Sequence, residues 1–170
     1  MLAGVLAALS AVIFTLTYGR VGLIGPRSLA LLLALGGFLA IVIVPTLKYP
    51  PYPPAVGLHD TVGFRTITYF VMVACSLGFM AAAIRVALAG TAWFGAFNGG
   101  VIGAGVHVVL IGVAFAALPV INEVPGDFPA VVLWNFRVVS LETQALLWTV
   151  TGIGFGVLAD RMMRAVHRRG

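Results

Sequence analysis

Charge is what this chain has least of. Only 9% of its 170 residues are charged and five are acidic, while 61% are hydrophobic and the mean hydropathy is +1.11. An ordinary soluble domain carries about 25% charged residues, so a water-soluble fold of this size is excluded. Cysteine is almost as scarce. The single Cys75 rules out an internal disulfide framework, and its place in a hydrophobic run reads as a small buried hydrophobe. There is no P-loop lysine motif, no nucleophile elbow, no flavin or nicotinamide fingerprint and no buried carboxylate pair, so nothing points to ATP hydrolysis or to an enzyme. The basic excess, a net charge of +5, sits at run ends and in a short tail without interleaved aromatics, which argues against nucleic acid.

What the chain has is oil in long runs. Five stretches bounded by Gly, Pro and charge, residues 2–18, 29–47, 67–88, 101–121 and 141–159, approach or exceed the ~18 residues that call for a bilayer-spanning helix. Backbone in hydrocarbon must satisfy its own hydrogen bonds, and the alternation of a barrel strand is absent. The expected fold is an all-α integral membrane helical bundle of about five transmembrane helices, forming one domain over residues 1–170. The breaks are GRVGLIGPR, a proline-rich stretch, AGTAWFGAFNGG and NEVPGDFPAVVLWNFRVVS. Residues 130–139 read either as a short interfacial helix or as the start of a long, bent fifth span. Small residues one turn apart, Gly99 with Gly103 and Gly152 with Gly156, suit close helix approach.

Five spans place the termini on opposite sides. Arg20, Arg27, Arg85, Arg161, Arg164, Arg168 and Arg169 then fall on one side, and Lys48, Arg65 and Arg137 on the other. Seven against three puts the C-terminus in the cytoplasm and the N-terminus outside a bacterial plasma membrane, with the long loops facing outward. Leu2 to Tyr18 has no basic region before it and does not read as a cleavable signal.

The proline-rich break has a twin. PTLKYPPYPPAVGLHDTVGFR from Pro45 and PVINEVPGDFPAVVLWNFR from Pro119 both begin at the end of a hydrophobic run, pass through prolines and an aromatic to Ala-Val, and close on Phe-Arg. The offsets are 74 residues (Pro45 to Pro119), 75 (Ala55 to Ala130) and 72 (Phe64 to Phe136). The pattern predicts an internal repeat of two-helix units in parallel orientation, related by a pseudo-twofold axis along the membrane normal. Pro50, Pro51, Pro53 and Pro54 forbid helix and favour an extended path, while Tyr49, Tyr52 and Phe128 suit the interface.

LKYPPYPPAVG, the NEVPGDFP loop, the LWNFR after it, and SLETQALLW leading into GIGFGVLADR together resemble the CbtA family of probable cobalt transporter subunits, from about Tyr18 to Asp160. The resemblance implies several transmembrane helices, a role in cobalt uptake, and work beside other membrane subunits, such as a small single-span partner with a histidine-rich tail, or as a homo-oligomer. Members of that family carry further sequence, with another hydrophobic stretch, ahead of the segment matching Leu2 to Tyr18.

Cobalt(II) takes imidazole and carboxylate ligands, and no cofactor beyond such a transient divalent ion is expected. His59 and Asp60 in one loop, with Glu123 and Asp127 in its twin, supply an imidazole and three carboxylates for a shallow external site. No HxxH, CxxC or HExxH spacing supports them, and loop carboxylates also cap helices or pair with arginines. His107, inside the fourth run, is an ionisable group at membrane depth that either contacts the ion or hydrogen-bonds across to a hydroxyl or carbonyl. The candidate loop motif comprises Lys48, Tyr49, Pro50, Pro53, Pro54, Arg65, Asn122, Pro125, Phe128, Pro129 and Arg137. Met72, Cys75 and Met80 read as packing, Ser140 as an N-cap with Glu142 in the first turn, and Arg85 as snorkelling from one turn inside its span's end. Asp160 and Arg164 are spaced for a helical ion pair. Arg137 is expected to pair with Glu142 or Asp127. The competing function is a non-transporting accessory subunit whose proline loops dock on a larger membrane complex.

Overall fold

The computed structural model describes residues 2–19, 24–54, 56 and 59–167. Arg20, Arg168, Arg169 and the side chain of His59 lie outside the described residues. Among those described, every regular element is helical: α1 (Leu2–Thr17), α2 (Pro26–Gly37), α3 (Val44–Lys48), α4 (Val62–Ala117) and α5 (Ala130–His167), with a widened turn at Phe38–Ile43 and a tight one at His59–Thr61. Pro26 opens α2 at a position whose N–H would be orphaned anyway.

Two stretches, Pro26–Lys48 and Val62–Ala117, are long and apolar enough to cross a bilayer. Only 28% and 11% of their most apolar windows are buried within the protein, whereas a soluble core helix would be mostly buried. Val120, Trp93 and Phe97 stand more than four-fifths exposed, an arrangement that lipid solvates and water does not.

The chain divides into two compact units, residues 1–39 with 141–170, and residues 40–140. In the first, α2 and the later part of α5 run antiparallel through glycine contacts. The Trp148 ring covers Gly37; a methyl placed on Gly152 would stand 2.7 Å from the Ala34 methyl, and one on Gly156 3.2 Å from that of Ala30. Phe14 of α1 closes the cluster over Leu29 and Ala30, edge-on to Phe155 at 5.3 Å. At its end Asp160 takes Arg164 at 3.1 Å, the expected helical pair, and also Arg27 at 2.8 Å.

In the second unit α4 is two helical arms. The predicted break over residues 89–100 shrinks to one residue, Gly95, whose φ of +80° and ψ of 166° are open to glycine and strained for others. Beyond it the chain folds back on itself: Gly99 lies against the Ala87 carbonyl and the Thr91 amide, Gly103 against Ala83 and Ala87, and Ala114 against Met72. Contacts stepping forward on one arm and backward on the other define an antiparallel hairpin. Helix runs on past Arg85 as far as Gly95, so Arg85 lies about 15 Å along the helix from the turn. The second arm closes at Ala117, four residues before the expected boundary at Ile121.

Helix α5 settles the reading of residues 130–139. They are its first turns, with the Pro129 carbonyl accepting from the amides of Val132 and Leu133, so Ser140 lies inside the helix and caps nothing. Nothing between Ala130 and Ser140 breaks helix, which is why the break falls at Pro129.

Replacing Gly99 with alanine would put a methyl 2.7 Å from two backbone atoms that cannot step aside, and is expected to destabilise the hairpin by about 1–3 kcal/mol. Gly105→Ala, which meets nothing within 4 Å, should be neutral or slightly stabilising in the same unfolding assay in detergent. The hydrogen bond from Arg164, with its charge and that of Arg27, lowers the Asp160 pKa against the opposing effect of burial. A lowered carboxylate pKa stabilises the fold above the ordinary range near pH ~4 and loses that contribution as pH falls through it. The thermal unfolding temperature should therefore drop below about pH 4, and Asp160→Asn should start lower at pH 7 and lose that part of the acid dependence.

Candidate functional site

The two proline corners meet. Each element arrives with backbone carbonyls that have no helical partner, and the other corner supplies the donors. The last carbonyls of α4's second arm are orphaned by the helix end; the Leu118 amide takes that of Ala114, and Lys48 Nζ donates to Phe115 O at 2.7 Å. A cation at a helix C-terminus also opposes the negative end of the dipole. Tyr49 Oη donates to Pro119 O at 2.8 Å and Tyr52 Oη to Ile121 O at 3.1 Å. Arg137 Nε reaches Pro51 O at 3.5 Å. Burial raises the Tyr49 pKa, in the direction that favours the protonated, donating phenol.

Tyr52 is the hub. The guanidinium carbons of Arg65 and Arg137, the two arginines matched by the Phe-Arg repeat, each lie 5.9 Å from its ring centre. Arg65 also pairs with Glu123 at 3.4 Å, both side chains being mostly buried. Pro53 and Pro125 each accept a hydrogen bond three residues on, from Val56 and Phe128, so both corners carry a tight turn.

The sequence correspondence between the two corners does not hold in the structure at its first proline. Pro119 follows the end of a helix, but Pro45 is buried within one, where α3 continues from the widened turn at Phe38–Ile43. A proline in that position has no N–H for the carbonyl four residues back. That carbonyl is Ile41 O, and Tyr69 Oη lies 3.4 Å from it as a replacement donor.

Of the candidate ligands, Glu123 is held by Arg65, while Asp60 and Asp127 are exposed. Asn122, Pro54, Pro125 and Pro129 line the exposed side of the corners; Pro50, Pro53 and Phe128 are half-buried. Among the described residues no three His, Cys, Asp or Glu side chains come together as a metal-holding group. Arg137 turns toward Tyr52 and Pro51 in place of the expected Glu142 or Asp127. His107 is half-buried in the second arm, its Nδ1 enclosed and without a hydrogen-bond partner; Ser76 Oγ in the first arm is enclosed and unpartnered too. Met72, fully buried against Val44 and Ala114, is packing as expected.

A family model described as probable cobalt transporter subunit (CbtA) matches residues 1–160, which takes in both corners and the whole hairpin. The chain belongs to the CbtA family. No curated protein and no solved structure matches it. For a CbtA-family chain the polar investment is lopsided. Lys48, Arg65 and Arg137 converge on the corners against one enclosed carboxylate, so the enclosed part is cationic, and the acidic groups a metal would meet first are those at its exposed edge.

Two contacts here leave some trace in sequence. A lysine at the end of a run with an aromatic partner elsewhere suggests a carbonyl cap, and a proline within an apolar run implies a donor for the carbonyl four residues earlier. Neither signal says which donor answers. Tyr52→Ala removes a ring between two guanidiniums, at about 0.5–1 kcal/mol each, and the Ile121 hydrogen bond, for an expected loss of about 2 kcal/mol in unfolding. Tyr52→Phe keeps the ring and should cost less than half as much.

Proposed function

We propose that this chain is the membrane-spanning subunit of a divalent-metal uptake system for cobalt in a bacterial plasma membrane. In this reading it crosses the bilayer five times, with its N-terminus outside and its C-terminus in the cytoplasm, and acts beside other membrane subunits. Membership of the CbtA family supports the cargo and the subunit role. With no nucleotide motif in the sequence, the driving force comes from a gradient or a partner.

The observation that carries the site is the enclosed pair of Arg65 and Glu123, in the corners where Asp60 and Asp127 are exposed. Asp60 and Asp127, with His59, meet the hydrated ion at the outer face. Glu123, paired with Arg65, is the enclosed carboxylate that a divalent charge draws on, since a dication attracts a carboxylate more strongly than a guanidinium does. His107, deeper in the second arm, offers an imidazole nitrogen with no competing hydrogen bond. A site built from so few protein ligands binds weakly, as transport requires.

Cobalt accumulation in cells expressing the chain with its partner tests both levels. Glu123→Gln and His107→Ala should each lower uptake at limiting cobalt by about tenfold, equivalent to roughly 1.4 kcal/mol of binding, with the protein present in the membrane at normal levels. Unchanged uptake in both variants would overturn the site; no uptake by the wild type would overturn the function.

A further inference from the structure

The hairpin's other end has no polar corner. No Asp, Glu, Lys or Arg lies between Arg85 and Glu123, and the turn is a single glycine. Trp93, Phe94 and Phe97 around it are 84%, 60% and 81% exposed. The nearby polar side chains are already spent on the helix itself: Thr91 Oγ1 donates to Ala87 O at 2.9 Å, and Asn98 Nδ2 to Phe94 O at 3.0 Å. Both bonds are local to the helix, so the tip presents rings and few free polar groups to its surroundings.

Length agrees. From Arg65, at the corners, to Gly95 is about 45 Å of helix. With Arg65 in the near headgroup layer, about 5 Å outside a hydrocarbon slab of about 30 Å, a tilt of roughly 20–30° brings Gly95 about 5 Å past the far edge and Arg85 within snorkelling reach of it. That layer holds lipid headgroups, where indole and phenyl rings concentrate and a guanidinium meets phosphate.

We infer that the Trp93–Phe97 tip is an interfacial anchor, seated in the lipid headgroup layer of the leaflet opposite the proline corners, with Arg85 on lipid phosphate. The inference rests on the hairpin's crossing the bilayer, and not on the cargo or on Glu123.

Trp93 reports its own depth once Trp134 and Trp148 are replaced by phenylalanine. In vesicles of phosphatidylcholine and phosphatidylglycerol, its fluorescence should be quenched several-fold more by lipids brominated near the glycerol end of the acyl chain than by those brominated near the chain terminus. Aqueous iodide should quench it weakly. Stronger quenching by iodide would place the tip in water, and quenching by neither would place it under another protein; each result overturns the anchor. Val109→Trp with all three native tryptophans replaced by phenylalanine is the control, since Val109 is 65% exposed in mid-arm and bromolipids should quench a ring there wherever the tip lies; if they do not, the spanning reading fails and the anchor with it. A second route keeps every tryptophan. In open membrane fragments, Asn98→Cys on a Cys75→Ala background should react with a water-soluble maleimide at least tenfold more slowly than Asp127→Cys on the same background. Equal rates would overturn the anchor.

Discussion

A backbone carbonyl with no donor is the constraint around which this protein is arranged. In a chain solvated largely by hydrocarbon, water cannot make good a missing hydrogen bond, and each unsatisfied group costs several kcal/mol. The helices meet most of the demand internally, and the remainder is concentrated where helices end or prolines interrupt them. There the chain spends its few polar side chains: Lys48 on Phe115, Tyr49 on Pro119, Tyr52 on Ile121, Tyr69 on Ile41. None of these four donors is placed for a ligand. They are placed for carbonyls, and the convergence of the corners follows, because each corner holds donors for the other's unpaired oxygens.

The same economy governs charge. With five acids in the whole chain, two are committed to arginines, Glu123 to Arg65 and Asp160 to Arg27 and Arg164. An arginine beside a carboxylate in a poorly solvated place is worth little as net stability, since desolvation offsets most of the attraction; removing one partner is what costs. The Arg65 and Glu123 pair is therefore better understood as fixing the two corners in place than as a large source of stability.

Sequence patterning reached the class of fold and the corners, and stopped at individual partners. Apolar runs and the lack of charge are enough to read helices in lipid, and the doubled Pro-aromatic-Phe-Arg pattern singles out the residues that come together. That Arg65 and Arg137 would share one tyrosine ring was not legible, because the repeat fixes their equivalence and leaves their destination to the three-dimensional path of the loops. The turn at Gly95 misled for a different reason. AGTAWFGAFNGG has the glycines of a loop, but most of them serve close contact: Gly99 exists for Ala87 and Thr91, and only Gly95 has a backbone that needs it. Ser140 misled similarly, since a hydroxyl before an acidic residue suits a cap, and the proline eleven residues earlier had already started the helix. His107 and Ser76 carry buried polar atoms that no local pattern assigns to a partner.

The two ends of the hairpin are built on opposite terms, and that difference is an argument about movement. At the corners, four long-range hydrogen bonds, an ion pair and three cation–π contacts tie loops from distant parts of the sequence, and prolines restrict the backbone between them. At the other end the arms are held by glycine contacts and a one-residue turn, with nothing that ties the turn to another loop among the described residues. If the proposed transport role moves the arms, the motion would be smallest at the corners and largest at the Trp93–Phe97 tip. A surface that moves most is the one where a fluid, adaptable neighbour such as lipid costs least, and where a fixed polar contact would resist the motion.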